Sequence, residues 1–111
     1  MGLGDFEQVV LFALLRLGGE SHGAALTREI EERAGRRVSP GALYTTLERL
    51  ERKGLVVSWV GDSTPERGGR RRRCYRLEAE GAAELRASYT ALQRLAAGMG
   101  RRLDELSGDA S

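Results

Sequence analysis

The sequence predicts a mainly α fold of the α+β class: three helices, a two-stranded hairpin and one long closing helix. Three observations point there. Ser39-Pro40 is a sharp helix start followed by leucines at helical spacing. Two β-prone runs flank a loop of Gly, Ser, Thr and Pro. An apolar repeat of spacing 4, 3, 4, 3, 4, 3 then runs from Leu85 to Leu106. With 111 residues, 41% hydrophobic and 31% charged, the chain suits one globular domain plus an appended element and argues against wholesale disorder. Aromatics are only 5%, so Leu, Val and Ala must build the core.

The first helix is expected over 3–17, LGDFEQVVLFALLRL, ended by Gly18-Gly19. Phe6, Val10, Ala13 and Leu17 mark one face, but Val9, Leu11, Phe12, Leu14 and Leu15 fill most of the others. A helix apolar nearly all round is covered on more than one side, by its own domain or by a partner chain. Ser21 or His22 opens a second helix with Ala25, Leu26, Ile30 and Ala34 inward, stopped at Gly35. The third helix runs from Pro40 to Lys53: Ser39 caps it, Leu43, Leu47 and Leu50 face the core, and Gly54 ends it. Its opposite face carries Tyr44, Thr45, Glu48, Arg49 and Arg52. Residues 55–60, LVVSWV, and 70–77, RRRRCYRL, form the hairpin around GDSTPERGG. The closing helix spans 79–106 as one unbroken seam of Leu85, Tyr89, Leu92, Ala96, Met99, Leu103 and Leu106, weakened by Gly98 and Gly100 at about 1 kcal/mol each relative to Ala.

Charge is concentrated rather than spread. Residues 33–76 hold twelve basic and four acidic side chains, whereas the rest holds six basic and twelve acidic. A basic centre on an otherwise acidic chain is the footprint of a polyanion partner. Three helices followed by a basic hairpin is the order of a winged helix-turn-helix. In that arrangement a helix pinned by one face offers the other to the major groove, and the hairpin reaches adjacent phosphates or the minor groove.

Four stretches together resemble the PadR family of bacterial transcriptional regulators: FEQVVLFALLRL, HGAALTREIEERAGRRVSPGALYTTLERLERKGLV, RGGRRRRCYRL and EGAAEL, from about Leu3 to Leu85. The single closing helix is similar to the smaller PadR subgroup. The resemblance implies a homodimeric repressor that binds a palindromic operator in double-stranded DNA, and the single cysteine makes a reduced, cytoplasmic protein the expectation. On that basis residues 1–78 are the DNA-binding domain, 79–106 the dimerisation helix and 107–111 a disordered tail. DNA contacts are expected from Ser39, Pro40, Gly41, Tyr44, Thr45 and Arg49, with Lys53 near the backbone, and from Arg67, Gly68, Gly69, Arg70 and Arg71 of the wing. The family's closing helix dimerises against the partner's first helix, which assigns Phe6, Val10, Leu85, Tyr89, Leu92, Ala96, Met99 and Leu103 to the interface. A small-molecule effector, if used, would lie between subunits. His22 stands where the family often has Tyr, and Glu78 where Thr often opens the last helix.

Other features read plainly. His22 is a polar first-turn residue rather than a ligand or pH sensor, and Cys74 a small strand hydrophobe rather than a redox sensor. Trp59 packs under the wing; Tyr89 and Met99 belong to the seam. A single cysteine excludes an internal disulfide and a multi-cysteine zinc site. No metal or cofactor is expected. The motifs HxxxH, GxxxxGK[ST] and GxSxG are missing, so no enzyme is expected. Asp5 and Glu7 ahead of the short apolar run Val9–Leu15 argue against a signal peptide or membrane span. The alternative from another class is a winged-helix module binding RNA or a protein partner.

Overall fold

The structure, a computed structural model, describes residues 2–62 and 71–108. The order is α1 (Asp5–Arg16), β1 (Glu20–His22), α2 (Gly23–Ala34), α3 (Pro40–Arg52), β2 (Val56–Val60), β3 (Arg73–Leu77), α4 (Ala79–Ala96) and α5 (Gly100–Ser107). This is a winged helix with an extended C-terminal helical arm.

The apolar-all-round first helix has a simple explanation: α1 is central. It packs against α2, α3, α4 and β3, with Val10, Leu11 and Leu14 fully buried. Leu26 and Ile30 of α2, and Leu43, Leu47 and Leu50 of α3, close on it from one side, and Leu85 of α4 adds to the same core. Each of these side chains is at most 3% exposed. Burial of that kind stabilises by about 1.5–3 kcal/mol per large aliphatic side chain, which fixes α3 by its leucine stripe.

The sheet differs from the expected two-stranded hairpin. It has three strands in the order β1-β3-β2, all antiparallel, with Ser21 opposite Tyr75 and Ser58 opposite Tyr75 on the other side. The third strand exists because Gly18 and Gly19, at φ +94° and +88°, turn the chain sharply after α1. Leu77 N–H then donates to Gly19 O at 2.8 Å, and residues 20–22 zip onto β3. The return strand begins at Arg73 rather than Arg70. Tyr75 is buried on the inner face, and burial pushes its hydroxyl up from the ordinary tyrosine value. On the outer face the Arg76 guanidinium lies 5.6 Å from the centre of the partly buried Trp59 ring.

The closing helix is also corrected. It is two helices, broken after Ala96, with Gly98 in the left-handed region at φ +75°. Every residue from 91 to 108 is exposed, so no packing in this chain opposes the break. Ser107, expected to begin the tail, ends α5, and 109–111 lie outside the described residues.

Candidate nucleic-acid interface

α3 is set in place from both ends and from below. Ser39 Oγ accepts from Ala42 N–H at 3.1 Å, and Pro40 occupies the first turn. Val38, 9% exposed, anchors the preceding turn in the core, and its N–H donates to Glu31 Oε2 at 3.1 Å. Leu43, Thr46, Leu47 and Leu50 face inward. Ser39, Pro40, Gly41, Tyr44, Thr45 and Arg49 all lie on the exposed side, together with Glu48 and Arg52.

Tyr44 has a second role. Its ring lies directly over Gly23, the first residue of α2: a Cβ at position 23 would collide with Tyr44 Oη and stand 2.8 Å from Cζ. Glycine at 23 thus permits the close approach that sets α2 against α3. His22 caps α2, with Nδ1 accepting from Ala25 N–H at 3.4 Å, so its residue type suits the first turn as expected.

Lys53, expected near the DNA backbone, is not a free cation beside the exposed side of α3. Its Nζ donates to Glu7 Oε2 at 2.8 Å and Oε1 at 3.0 Å, across 46 residues of sequence. Glu7 is 4% exposed and also accepts from Gly4 N–H at 2.7 Å. Burial pushes the Glu7 carboxyl up, but the hydrogen bonds from Lys53 and Gly4 and the positive charges of Lys53 and Arg49 outweigh it. The net position is below the ordinary glutamate value. The pair ties the start of α1 to the end of α3. Its sequence signal was slight: an acid on the apolar stripe that also holds Leu11 and Leu14, and the chain's one lysine.

The basic residues of 33–76 fall into two sets. Arg33 pairs with Glu29, Arg36 with Asp5, Lys53 with Glu7 and Arg76 with Glu78. Among the described residues Arg37, Arg49, Arg52, Arg71, Arg72 and Arg73 form no ion pair; even Glu48 and Arg52, spaced for one on α3, do not make it. Arg71 is exposed just ahead of β3. The hairpin is closed there by Gly61 N–H donating to Arg72 O at 2.7 Å. The other wing residues, Arg67, Gly68, Gly69 and Arg70, lie outside the described residues.

The expected dimer seam divides. Val10 and Leu85 are 0% and 3% exposed within this chain's own core, which leaves no surface for a partner. Phe6 is partly buried, with the Arg36 guanidinium 4.9 Å from its ring centre. Tyr89 meets Phe12 edge-on at 5.7 Å yet stays half exposed. Leu92, Ala96, Met99 and Leu103 are exposed, as is Leu106 at the end of the seam, 70% exposed, and the structure adds Leu95, 80% exposed. Leu92 also borders an open groove of about 340 Å³ between α1 and α2, lined by Val9, Phe12 and Ile30. Among the described residues no three His, Cys, Asp or Glu side chains gather as a metal site, and no helix is long and apolar enough to cross a membrane.

Comparison with known proteins gives consistent relatives. Residues 11–87 match the profile of the transcriptional regulator PadR-like family. Transcriptional regulator Rv3488 of Mycobacterium tuberculosis is 51% identical over 79 residues, covering 69% of this chain and 67% of that protein. The fold is similar to that of a PadR family transcription regulator from hypervirulent Clostridium difficile R20291, with a TM-score of 0.73, 24% identity and coverage of 90% and 99% of the two chains. It is also similar to a winged-helix DNA-binding protein from STIV, with a TM-score of 0.71, 16% identity and coverage of 88% and 98%.

Proposed function

This chain belongs to the PadR-like family of transcriptional regulators, and from that premise we propose that it represses transcription by binding a two-fold symmetric operator as a homodimer. The observation that carries the reading is the sorting of positive charge. Among the described residues Arg49 and Arg52 of α3 and Arg71, Arg72 and Arg73 of the hairpin form no ion pair, whereas Arg33, Arg36, Lys53 and Arg76 are paired. Uncompensated guanidinium groups around a helix pinned by its leucines suit a phosphate-lined groove.

In this reading α3 enters the major groove. Gly41, Tyr44, Thr45 and Arg49 meet base edges, and Ser39 and Pro40 approach the backbone at the helix start. Arg71, with the wing residues Arg67, Gly68, Gly69 and Arg70, grips phosphates or the minor groove. Residues 1–78 serve DNA binding and the arm from 79 serves dimerisation, through Tyr89, Leu92, Leu95, Ala96, Met99, Leu103 and Leu106. Burying so many exposed apolar groups in one seam supports a second copy as the partner. An effector would act by changing the angle between the two heads, and the groove beside Leu92 lies where the arm meets α1 and α2.

The test is fluorescence anisotropy with the duplex upstream of the chain's own gene and a shuffled duplex, each over a salt series, for wild type and Arg70→Ala/Arg71→Ala. Preference for the native duplex, with a salt slope reduced by about 2 in the variant, supports the reading. Equal affinity for both duplexes and for RNA favours a general interaction module, and no binding at low salt refutes DNA recognition.

A further inference from the structure

We propose that Arg37, on the turn between α2 and α3, is a second phosphate-binding element of the same DNA surface, separate from the wing. The inference rests on the DNA-binding reading above and adds a contact that neither the helix nor the hairpin supplies.

The turn between α2 and α3 is held at several points. Gly35 leaves α2 in the left-handed region at φ +62°. Arg36 then points back to α1, pairing with Asp5 at 3.3 Å and covering Phe6. Glu31 Oε2 accepts from Val38 N–H at 3.1 Å, Val38 is buried, and Ser39 caps α3. Four successive anchors therefore fix the backbone on both sides of residue 37. Its own side chain is exposed and forms no ion pair among the described residues.

Two adjacent arginines thus have opposite fates. Arg36 is turned back onto Asp5 and Phe6; Arg37 is presented, charged, from a turn held on both sides. Arg37 also shares an open depression of about 770 Å³ with Gly35, Val38 and Ser39, beside the start of the reading helix. The one acid in that depression, Glu31, holds the Val38 amide through Oε2 and keeps its charge, set against Arg36 and Arg37 on the same lining. An anion with several oxygen acceptors suits this setting, and a guanidinium binds a phosphodiester through two parallel N–H bonds. Because the backbone is already held, binding need order only the Arg37 side chain and not the turn.

The test is the salt dependence of anisotropy for wild type, Arg37→Gln, Arg37→Lys and Arg101→Gln on native and shuffled duplexes, with thermal melts to verify folding. Arg37→Gln is expected to lower the salt slope by about 0.9 on both duplexes, since a phosphate contact carries no sequence information. Between ~50 and ~200 mM salt its affinity then falls about 3.5-fold less than that of wild type. Arg37→Lys should keep the slope, and Arg101→Gln, remote on α5, should leave it unchanged. An unchanged slope in Arg37→Gln, an equal drop in Arg101→Gln, or a loss confined to the native duplex overturns the inference while leaving DNA binding intact. Failure of wild type to bind any duplex overturns the DNA reading and this inference together.

Discussion

Removing the Lys53 charge should destabilise the fold and leave the grip on DNA phosphates intact. The relevant perturbation is Lys53→Met, with Glu7→Gln and the double variant completing a thermodynamic cycle. Two charge-assisted hydrogen bonds, at 2.8 and 3.0 Å, join a carboxylate that is 4% exposed to an ammonium that is 36% exposed. At an effective dielectric constant of about 20, the gross attraction at this separation is about 6 kcal/mol. Desolvation of the buried carboxylate takes back much of it. The lysine's partial exposure takes back more, because water competes for the ammonium. A net coupling of about 1–2 kcal/mol remains. Lys53→Met should therefore lower stability by about 2–3 kcal/mol at neutral pH, because it strands Glu7 with the Gly4 amide alone. Glu7→Gln should lower it by about 1–2 kcal/mol, since the freed lysine can turn to solvent. Urea unfolding of the four proteins reads the coupling, and anisotropy against salt reads the DNA contact. Stability losses that simply add, together with a salt slope lower by about 0.9 in Lys53→Met, would refute the structural assignment and restore Lys53 to the DNA surface.

Four further outcomes follow from the same geometry. Gly81→Ala should reduce stability by about 1–3 kcal/mol or more in urea unfolding, because a Cβ there collides with the Leu55 carbonyl oxygen and stands 2.8 Å from Leu77 Cδ1. Gly23→Ala should displace the Tyr44 ring and weaken operator binding about tenfold in anisotropy, with a smaller effect on the melting temperature. Leu92→Asp should leave the monomer folded, since the side chain is 58% exposed in the single chain, and raise the dimer dissociation constant about 100-fold or more in sedimentation. Acid unfolding tests Glu7. Its folded-state pKa lies below its ordinary value of 4.5, so its contribution is complete above that value and is lost as pH falls through the lower folded-state one. Stability of the wild type should accordingly drop below about pH 5 more steeply than that of Glu7→Gln.

What the sequence disclosed, and what it concealed, divides along physical lines. Ser39-Pro40 and the leucines at 43, 47 and 50 were legible because capping and helical period act within a few residues. The observed α3 begins at Pro40 and ends one residue before Lys53, which serves as its C-terminal cap. The central place of α1 was half legible: its all-round apolarity demanded cover, but only packing shows that α2, α3 and α4 provide it. The strand at 20–22 was hidden because Glu-Ser-His has no alternation to read, and its pairing is decided by β3, more than fifty residues later. Glu7 and Lys53, 46 residues apart, are likewise a tertiary fact. The break at Gly98 was the opposite case. The heptad pattern argued for continuity and two glycines argued against it, and with residues 91–108 all exposed the glycines prevail.

The arginines yield most to the structure. As a run of composition they marked one basic centre; among the described residues of that run Arg33, Arg36, Lys53 and Arg76 are committed to carboxylates, and those without an ion pair lie around α3 and the hairpin. That sorting links local charge pairing to the proposed recognition surface and accounts for why overall net charge, +2, says so little.

The central claim, that two copies of α3 read a symmetric operator, is tested most directly by selecting bound sequences from a random pool of DNA duplexes. Enrichment of an inverted repeat is expected, with half-sites centred about 10–10.5 base pairs apart or a multiple of that spacing. In the same selection, Arg49→Gln should change the preferred bases within each half-site and keep the spacing. Enrichment of a single unrepeated site, or no enrichment over the starting pool at a salt concentration where the protein binds, would contradict it.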